Sequence, residues 1–274
     1  MKMRKVTDRI LATLTWGGGI LAGLALVFLV VYIVVMGAPH LTPSLFAWEY
    51  TSENVSVVPP LIATLQMTGL ALLFAVPFGL FTGIYLVEYA KRGSKLVELV
   101  RLTAETLAGI PSIVYGLFGL LFFVIYLGWG YSLIAGAATL AIMILPLIMR
   151  TTEEALQSVP DTYREGSFGL GAGKLRTIFR IVLPSAVSGI LAGVILGIGR
   201  IVGETAAIIY TAGTVAQVPT ALGDSARTLS IHMYLLSSEG FHTNEAYATA
   251  LILLILVVII NASAAFIAKK FTRG

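Results

Sequence analysis

Long stretches without charged residues constrain the fold of this chain more than any other feature. A helix needs about 20 apolar residues to cross the hydrocarbon core of a bilayer. One uncharged window, Thr106–Met149, is long enough for two such helices, with a turn predicted at Gly128-Trp129-Gly130. The other windows are Ile10–Trp48, Asn54–Val87 and Ala246–Ala268, together with Ser185–Thr211, whose only charges are Arg200 and Glu204. The sequence therefore predicts an all-α polytopic membrane protein with six transmembrane helices.

The composition and the missing motifs argue against an enzyme. Of the 274 residues, 57% are hydrophobic and 12% charged, whereas a soluble domain carries about 25% charge. The sequence has no Cys, no His-Glu-x-x-His and no Gly-x-Ser-x-Gly. Residues 169–174 look like a phosphate loop, but Leu175 stands where Ser or Thr is required. We predict no enzyme activity, bound cofactor or metal site. The three histidines, His40, His232 and His242, are expected in solvated exterior loops.

The Lys and Arg residues predict the orientation of the spans. All 18 except Arg200 and Arg227 fall in the N-terminal tail, the loop between the second and third spans, the loop 150–184 or the C-terminal tail. Short loops rich in Lys and Arg stay in the cytoplasm. Both termini are therefore predicted to be cytoplasmic. Because the basic residues follow the topology, the net charge of +4 does not indicate nucleic-acid binding.

The loop 150–184 has helical structure of its own. Val159-Pro160-Asp161 is typical of a helix start. After Gly171 and Gly173, apolar residues recur at helical spacing, and the other face of that helix is basic. Two short helices joined by a glycine turn would form a cytoplasmic protrusion, and the alternative is a hairpin on the membrane surface. The apolar positions are Leu175, Ile178, Phe179 and Val182, and the basic ones are Lys174, Arg176 and Arg180.

The same loop resembles the Glu-Ala-Ala loop of ABC importer permeases. Glu165-Gly166-Ser167, Gly171 and Leu183-Pro184 reproduce its spacing, with Gly-Ser in place of Ala-Ala. The resemblance implies a type I ABC importer permease fold with a cytoplasmic coupling helix that docks on an ATPase subunit. By position, Asp161 to Leu175 would be the docking element. Its predicted coupling residues are Asp161, Glu165, Gly166, Ser167, Gly171 and Leu175.

Further motifs are similar to the inorganic phosphate permeases of the Pst system, and the Tyr-Thr-Ala motif favours the PstA-type subunit. They are Ile84-Tyr85-Leu86-Val87-Glu88-Tyr89, Gly109-Ile110-Pro111-Ser112-Ile113-Val114-Tyr115-Gly116, Gly203-Glu204-Thr205-Ala206 and Tyr210-Thr211-Ala212. This resemblance implies half of a phosphate path in the inner membrane of a prokaryote. It also implies three partners: a PstC-like permease, a PstB-like ATPase dimer that binds ATP and Mg, and an exterior PstS-like phosphate-binding protein. Residues 1–60 would form a tail, anchor and exterior loop, and residues 61–274 a five-helix permease domain.

The predicted substrate path centres on Arg200 and Glu204, which are four residues apart and would share one helix face. Arg200 would meet an oxyanion while Glu204 weakens the binding. The alternative is an ion pair with a structural role only. Pro111 predicts a kink or break in the third span. The hydroxyls of Ser112 and Tyr115 next to it either line the path or bond back to the helix, and Thr205 completes the predicted set.

Other functions compete with this interpretation. An ion-coupled secondary anion transporter would use Glu204 as a proton site, but such folds usually show an inverted repeat, and none is evident in the sequence. A permease of the same ABC class for another oxyanion also fits the motifs. A membrane scaffold would need no buried charge, whereas intramembrane ionisable residues normally mark a functional site.

Overall fold

The computed structural model of the chain describes residues 2–91 and 93–272, with side chains for 11–91, 93–266 and 268. The described part is mainly helical, with irregular segments between the helices, and contains no strand. Several basic residues behind the predicted orientation lie outside the described side chains. They are Lys2, Arg4, Lys5, Arg9, Arg92, Lys269, Lys270 and Arg273.

Ten α-helices, some extended by π-helical turns, make up the described chain. They are α1 (Lys2–Gly37), α2 (Val58–Ile84, continued by a π-helix at Tyr85–Tyr89), α3 (Lys95–Ala108), α4 (Ser112–Gly119, continued at Leu120–Tyr126), α5 (Leu133–Gln157), α6 (Asp161–Gly169), α7 (Lys174–Thr177, continued at Ile178–Val182), α8 (Leu183–Gly203), α9 (Leu229–Glu239) and α10 (Thr243–Thr272). Five spans are long and apolar enough to cross a membrane, and the count reaches six when α3 and α4 are taken together as one bent span. The predicted all-α polytopic fold is confirmed.

The third span is broken between α3 and α4. The two helices meet at an angle of 100°. Pro111 has no N–H to donate and disfavours a helical conformation at Ile110, so α3 ends at Ala108 and α4 begins at Ser112. The Tyr115 hydroxyl then donates to the Leu107 carbonyl at 2.7 Å, which ties the two pieces together. The predicted kink or break is therefore confirmed as a break.

The fifth span ends earlier than predicted. Helix α8 stops at Gly203, and Glu204 has an extended backbone with ψ of 132°. Residues 204–228 form turns and irregular backbone packed between helices, where Ala207, Ile208 and Ala212 are fully buried. Non-helical backbone is tolerated at membrane depth only where the protein buries it. The prediction that this helix continues to Thr211 is wrong. The apolar residues after Glu204 are buried by the neighbouring helices but do not form a helix.

The bundle is built around α2 and α5. Helix α8 packs on α5, α10 on α8, and α1 on α10. The helices approach closely where one of them carries glycine. A Cβ at Gly83 would lie 2.7 Å from Thr152 Cγ2, and one at Gly193 would overlap Thr151. Gly193 therefore lets the backbone of α8 approach α5 closely.

His232 of α9 was predicted to lie in a solvated loop, but it lies inside the protein. The side chain is completely buried, with Nε2 3.1 Å from the Val55 carbonyl oxygen. The Tyr50 ring packs against it edge to face, with 5.8 Å between ring centroids. Burial, and secondarily the Arg227 charge, lowers the pKa of His232 to about 4. The prediction for His232 is wrong because α9 packs inward and covers it with residues 50–57.

Candidate transport path and coupling surface

Arg200 lies in the last turn of α8, at the wall of a cavity that contains several ionisable side chains. This cavity has a volume of about 610 Å³ and is bounded by α3, α5 and α8. Arg200 is half-buried and is the residue that α8 contributes to the cavity wall. The remaining charged residues that line it are Arg101, Glu105, Arg150, Glu153 and Glu154.

Ion pairs neutralise most of the charge in this cavity. Arg101 donates from Nε to Glu153 Oε1 at 2.7 Å, and Arg150 donates from Nε to Glu154 Oε1 at 3.0 Å. Among the side chains that the structure describes, Arg200 has no carboxylate oxygen within 4.0 Å. Its guanidinium is therefore available to an anion that enters the cavity.

Glu204 does not pair with Arg200. Because α8 ends at Gly203, the two residues do not share a helix face. Glu204 Oε1 instead accepts from the Ala207 N–H at 3.1 Å, so its carboxylate stabilises the turn that follows the helix. The predicted pairing is wrong for this structure, and the role of Glu204 in the path stays a prediction.

The other predicted path residues lie near the junction of α4 with the segment after α8. A Cβ at Gly116 of α4 would lie 2.9 Å from the Ala206 carbonyl oxygen, so the two elements are in direct contact. Tyr115 is buried and uses its hydroxyl to bond the Leu107 carbonyl. Of the two alternatives for Tyr115, the structure shows the bond to the backbone. Ser112 and Thr205 are both half-buried at this junction.

Arg101 and Arg150 were not predicted to line the cavity, because their positions in the sequence indicate only the orientation of the spans. One signal was available for Arg150. It precedes Glu154 by four residues, which predicts an ion pair on one helix face. The contact between Arg101 and Glu153 joins residues 52 positions apart, and no local pattern predicts it.

The predicted coupling residues lie on α6, α7 and the turn between them. Gly171 makes this turn with φ of +81°, a left-handed conformation that favours glycine. Ser167 is buried, and its Oγ lies 2.8 Å from Thr177 Oγ1, which joins α6 to α7. The side chains of Glu165 and Leu175 are exposed. The exposed apolar residues of this end include Tyr163, Phe168, Leu170 and Leu175.

Arg164 fixes α6 to the rest of the bundle. Its Nη2 lies 2.7 Å from Glu88 Oε1, and the side chains of Arg164 and Glu88 are 14% and 8% exposed. Arg164 Nη1 also donates to the Val159 carbonyl at 2.8 Å and to Asp161 Oδ1 at 3.2 Å. One guanidinium therefore connects α6 with the end of α2 and the end of α5, a role that the sequence analysis did not assign.

Comparisons with known proteins agree with this architecture. Probable ABC transporter permease protein YqgI of Bacillus subtilis (strain 168) is 33% identical over 298 residues, which cover 99% of each chain. Phosphate transport system permease protein PstA 1 of Mycobacterium tuberculosis is 34% identical over 280 residues, covering 98% of this chain and 91% of the relative. A permease chain in the crystal structure of a bacterial ABC transporter that imports alginate shares the fold. Its TM-score is 0.68 at 15% identity, over 97% of this chain and 99% of that chain.

The family described as "Binding-protein-dependent transport system inner membrane component" matches residues 75–273. Its members are permease components and not enzymes. The match covers α3, α5 and α8, which line the cavity and include Arg200, as well as the predicted coupling loop 150–184. The chain therefore belongs to the family of inner-membrane components of binding-protein-dependent transport systems.

Proposed function

We propose that this chain is a permease subunit of an ATP-driven importer of inorganic phosphate. It forms half of the translocation path beside a second, PstC-like permease. Residues 61–274 form the permease domain, and residues 1–60 provide a tail, an anchor and an exterior loop. A PstS-like binding protein delivers phosphate from outside, and both termini lie in the cytoplasm. The PstA-type relative, 34% identical over nearly the whole chain, supports phosphate as the substrate.

The observation that carries the proposal is the unpaired guanidinium of Arg200 in a cavity whose other arginines are paired. A guanidinium offers a planar pair of donors that matches two phosphate oxygens. In a medium of low dielectric constant, one free cation attracts a phosphate ion strongly. Glu105, which lines the same cavity, and the two neighbouring ion pairs keep the local net charge low, so that the anion is released.

Coupling to ATP belongs to the exposed end formed by α6 and α7. The chain itself binds no cofactor, and ATP and Mg are held by a PstB-like ATPase dimer. Asp161 to Leu175 dock on that dimer, and Arg164 passes the movement to α2 and α5 through Glu88. Alternating access follows when this movement rocks the helices that surround Arg200.

Replacement of Arg200 tests the proposal. We expect Arg200→Gln to lower phosphate uptake about 10- to 100-fold, because hydrogen bonds to a charged group are worth about 1.5–3 kcal/mol. Arg200→Lys should recover part of the uptake, since it keeps the charge but loses the paired donors. Uptake of radiolabelled phosphate into cells that depend on this transporter measures both variants.

The matched control is Lys91→Gln, which removes an exposed cation that lies outside the cavity and outside α6 and α7. It should transport normally. Co-purification of the partner subunits has to be equal for all variants, so that a loss of uptake reports the path and not assembly. Normal uptake by Arg200→Gln would refute the role of Arg200. Uptake that depends on a proton gradient and survives ATP depletion would refute the importer class.

A further inference from the structure

Helix α3 presents an apolar face that no part of the described chain covers. Leu96, Leu99 and Leu102 lie three residues apart on this face and are 59%, 62% and 60% exposed. The opposite face is occupied, since Val97 packs into the bundle and Arg101 reaches the cavity beside α5. The exposed leucines are therefore not an outer layer of the core, and something outside the described chain covers them.

The length of α4 indicates the depth at which α3 lies. Helix α4 has eight α-helical residues followed by seven in π conformation, so it extends at most about 22 Å. The hydrocarbon core is about 30 Å thick. Helix α4 is thus shorter than the hydrocarbon core. If the turn near Trp129 lies at the exterior surface, the chain bends by 100° at the end of α4 before it leaves the bilayer. This bend places α3 across the direction of the spans, close to the acyl-chain boundary.

The polar groups on the same face of α3 are already satisfied within the helix. Thr103 and Thr106 are both exposed, and their hydroxyls donate to the carbonyls of Leu99 and Leu102 at 2.8 Å and 2.7 Å. A hydroxyl in water needs no such bond, whereas one among acyl chains must find its partner in the protein. Lys95, exposed on the same side at the start of the helix, is placed to extend toward lipid phosphates.

We propose that α3 lies in the plane of the membrane, at the boundary between acyl chains and headgroups in the leaflet nearer to the loop 150–184. Leu96, Leu99 and Leu102 enter the acyl chains, while Arg101 and Glu105 on the opposite face belong to the cavity wall. Lipid is thus a direct partner of one wall of this cavity. A helix of this kind binds through its buried apolar area and its flanking basic groups.

Spin labelling tests the proposal, because this chain has no native Cys and any Cys of the partner subunits is replaced before a single site is labelled. The transporter with all its co-expressed subunits is reconstituted in vesicles of phosphatidylethanolamine and phosphatidylglycerol, with a nitroxide at Leu99→Cys. We expect high accessibility to oxygen and low accessibility to a water-soluble nickel chelate. Ala108→Cys, on the cavity face of the same helix, is the matched control and should show the reverse.

Two outcomes would overturn the proposal. Equal access of the nickel chelate to positions 99 and 108 would place α3 in water. Low access of both reagents to position 99 would mean that a partner subunit covers the leucines. If the label at Leu99 prevents assembly, Leu96→Cys and Leu102→Cys report on the same face one turn away on either side, and the same criteria apply.

Discussion

In this bundle, the position of a helix end determines which partners a charged residue can reach. Arg200 belongs to the last turn of α8, so its side chain reaches the cavity between α3 and α5. Glu204 follows the helix end, and its carboxylate accepts from the Ala207 N–H. Spacing in the sequence identified both residues as unusual, because intramembrane charges are rare. The spacing could not show that the two residues have different partners. Residues four apart face each other only when both belong to the same helix.

His232 makes the stability of the end that carries α9 dependent on pH. The group has a pKa of about 4 when folded and about 6.5 when unfolded, so the unfolded chain binds the additional proton between these values. Stability is complete above pH 6.5 and falls as the pH drops toward 4. We expect the free energy of unfolding to decrease by about 2–3 kcal/mol between pH 7 and pH 4.5 because of this residue. Denaturant unfolding of the purified chain at a series of pH values measures the decrease.

A histidine variant separates this effect from the titration of carboxylates. His232→Gln should lose the contribution in this pH range, although its stability at pH 7 falls as well. His40→Gln removes a half-buried histidine and should keep the pH dependence of the natural chain. If His232→Gln and His40→Gln respond to pH alike, His232 is not the titrating group.

At the scale of elements, the sequence predicts the structure best where backbone chemistry decides it. The break before α4 follows from Pro111, which removes a donor whatever surrounds it. The end of α8 was missed because residues 205–211 continue the apolar run of the span and carry no charged residue or proline that would mark the end of the helix. The contact of Arg101 with Glu153 depends on how α3 is placed against α5, and a single sequence contains no signal for that placement.

Arg164 is expected to control the attachment of α6. In Arg164→Ala, the nearly buried carboxylate of Glu88 loses its partner, and breaking a buried ion pair costs about 3–5 kcal/mol. We expect this loss in the free energy of unfolding, together with weaker co-purification of the ATPase subunit. Thermal unfolding and quantitative pull-down measure the two effects.

Asp161→Asn is the matched control for that experiment. It removes the other carboxylate that contacts Arg164, but the Asp161 side chain is 70% exposed. Exposed ion pairs contribute only about 0–1 kcal/mol, so the stability of Asp161→Asn should be close to that of the natural chain. Equal stability of Arg164→Ala and Asp161→Asn would show that the contact with Glu88 does not hold α6 in place.

At the scale of the whole molecule, contacts between distant segments define two ends. Tyr32 near the end of α1 and Tyr247 near the start of α10 contact each other through their hydroxyls at 3.2 Å, which joins these two helices. The bond of Arg164 to Glu88 places the loop 150–184 beside the loop that follows α2. Two of the basic segments seen in the sequence therefore lie next to each other.

The side of the membrane on which each end lies can be predicted from these groups. Lys and Arg are concentrated at the end that carries α6 and α7, so this end is expected in the cytoplasm. Leu170 at that end and Phe241 at the other are 91% and 89% exposed, which makes them matched positions for a single cysteine. A membrane-impermeant maleimide applied to sealed spheroplasts should label Phe241→Cys at once, and Leu170→Cys only after permeabilisation. The opposite order would reverse the orientation and place the predicted coupling surface outside the cell, where no ATPase could reach it.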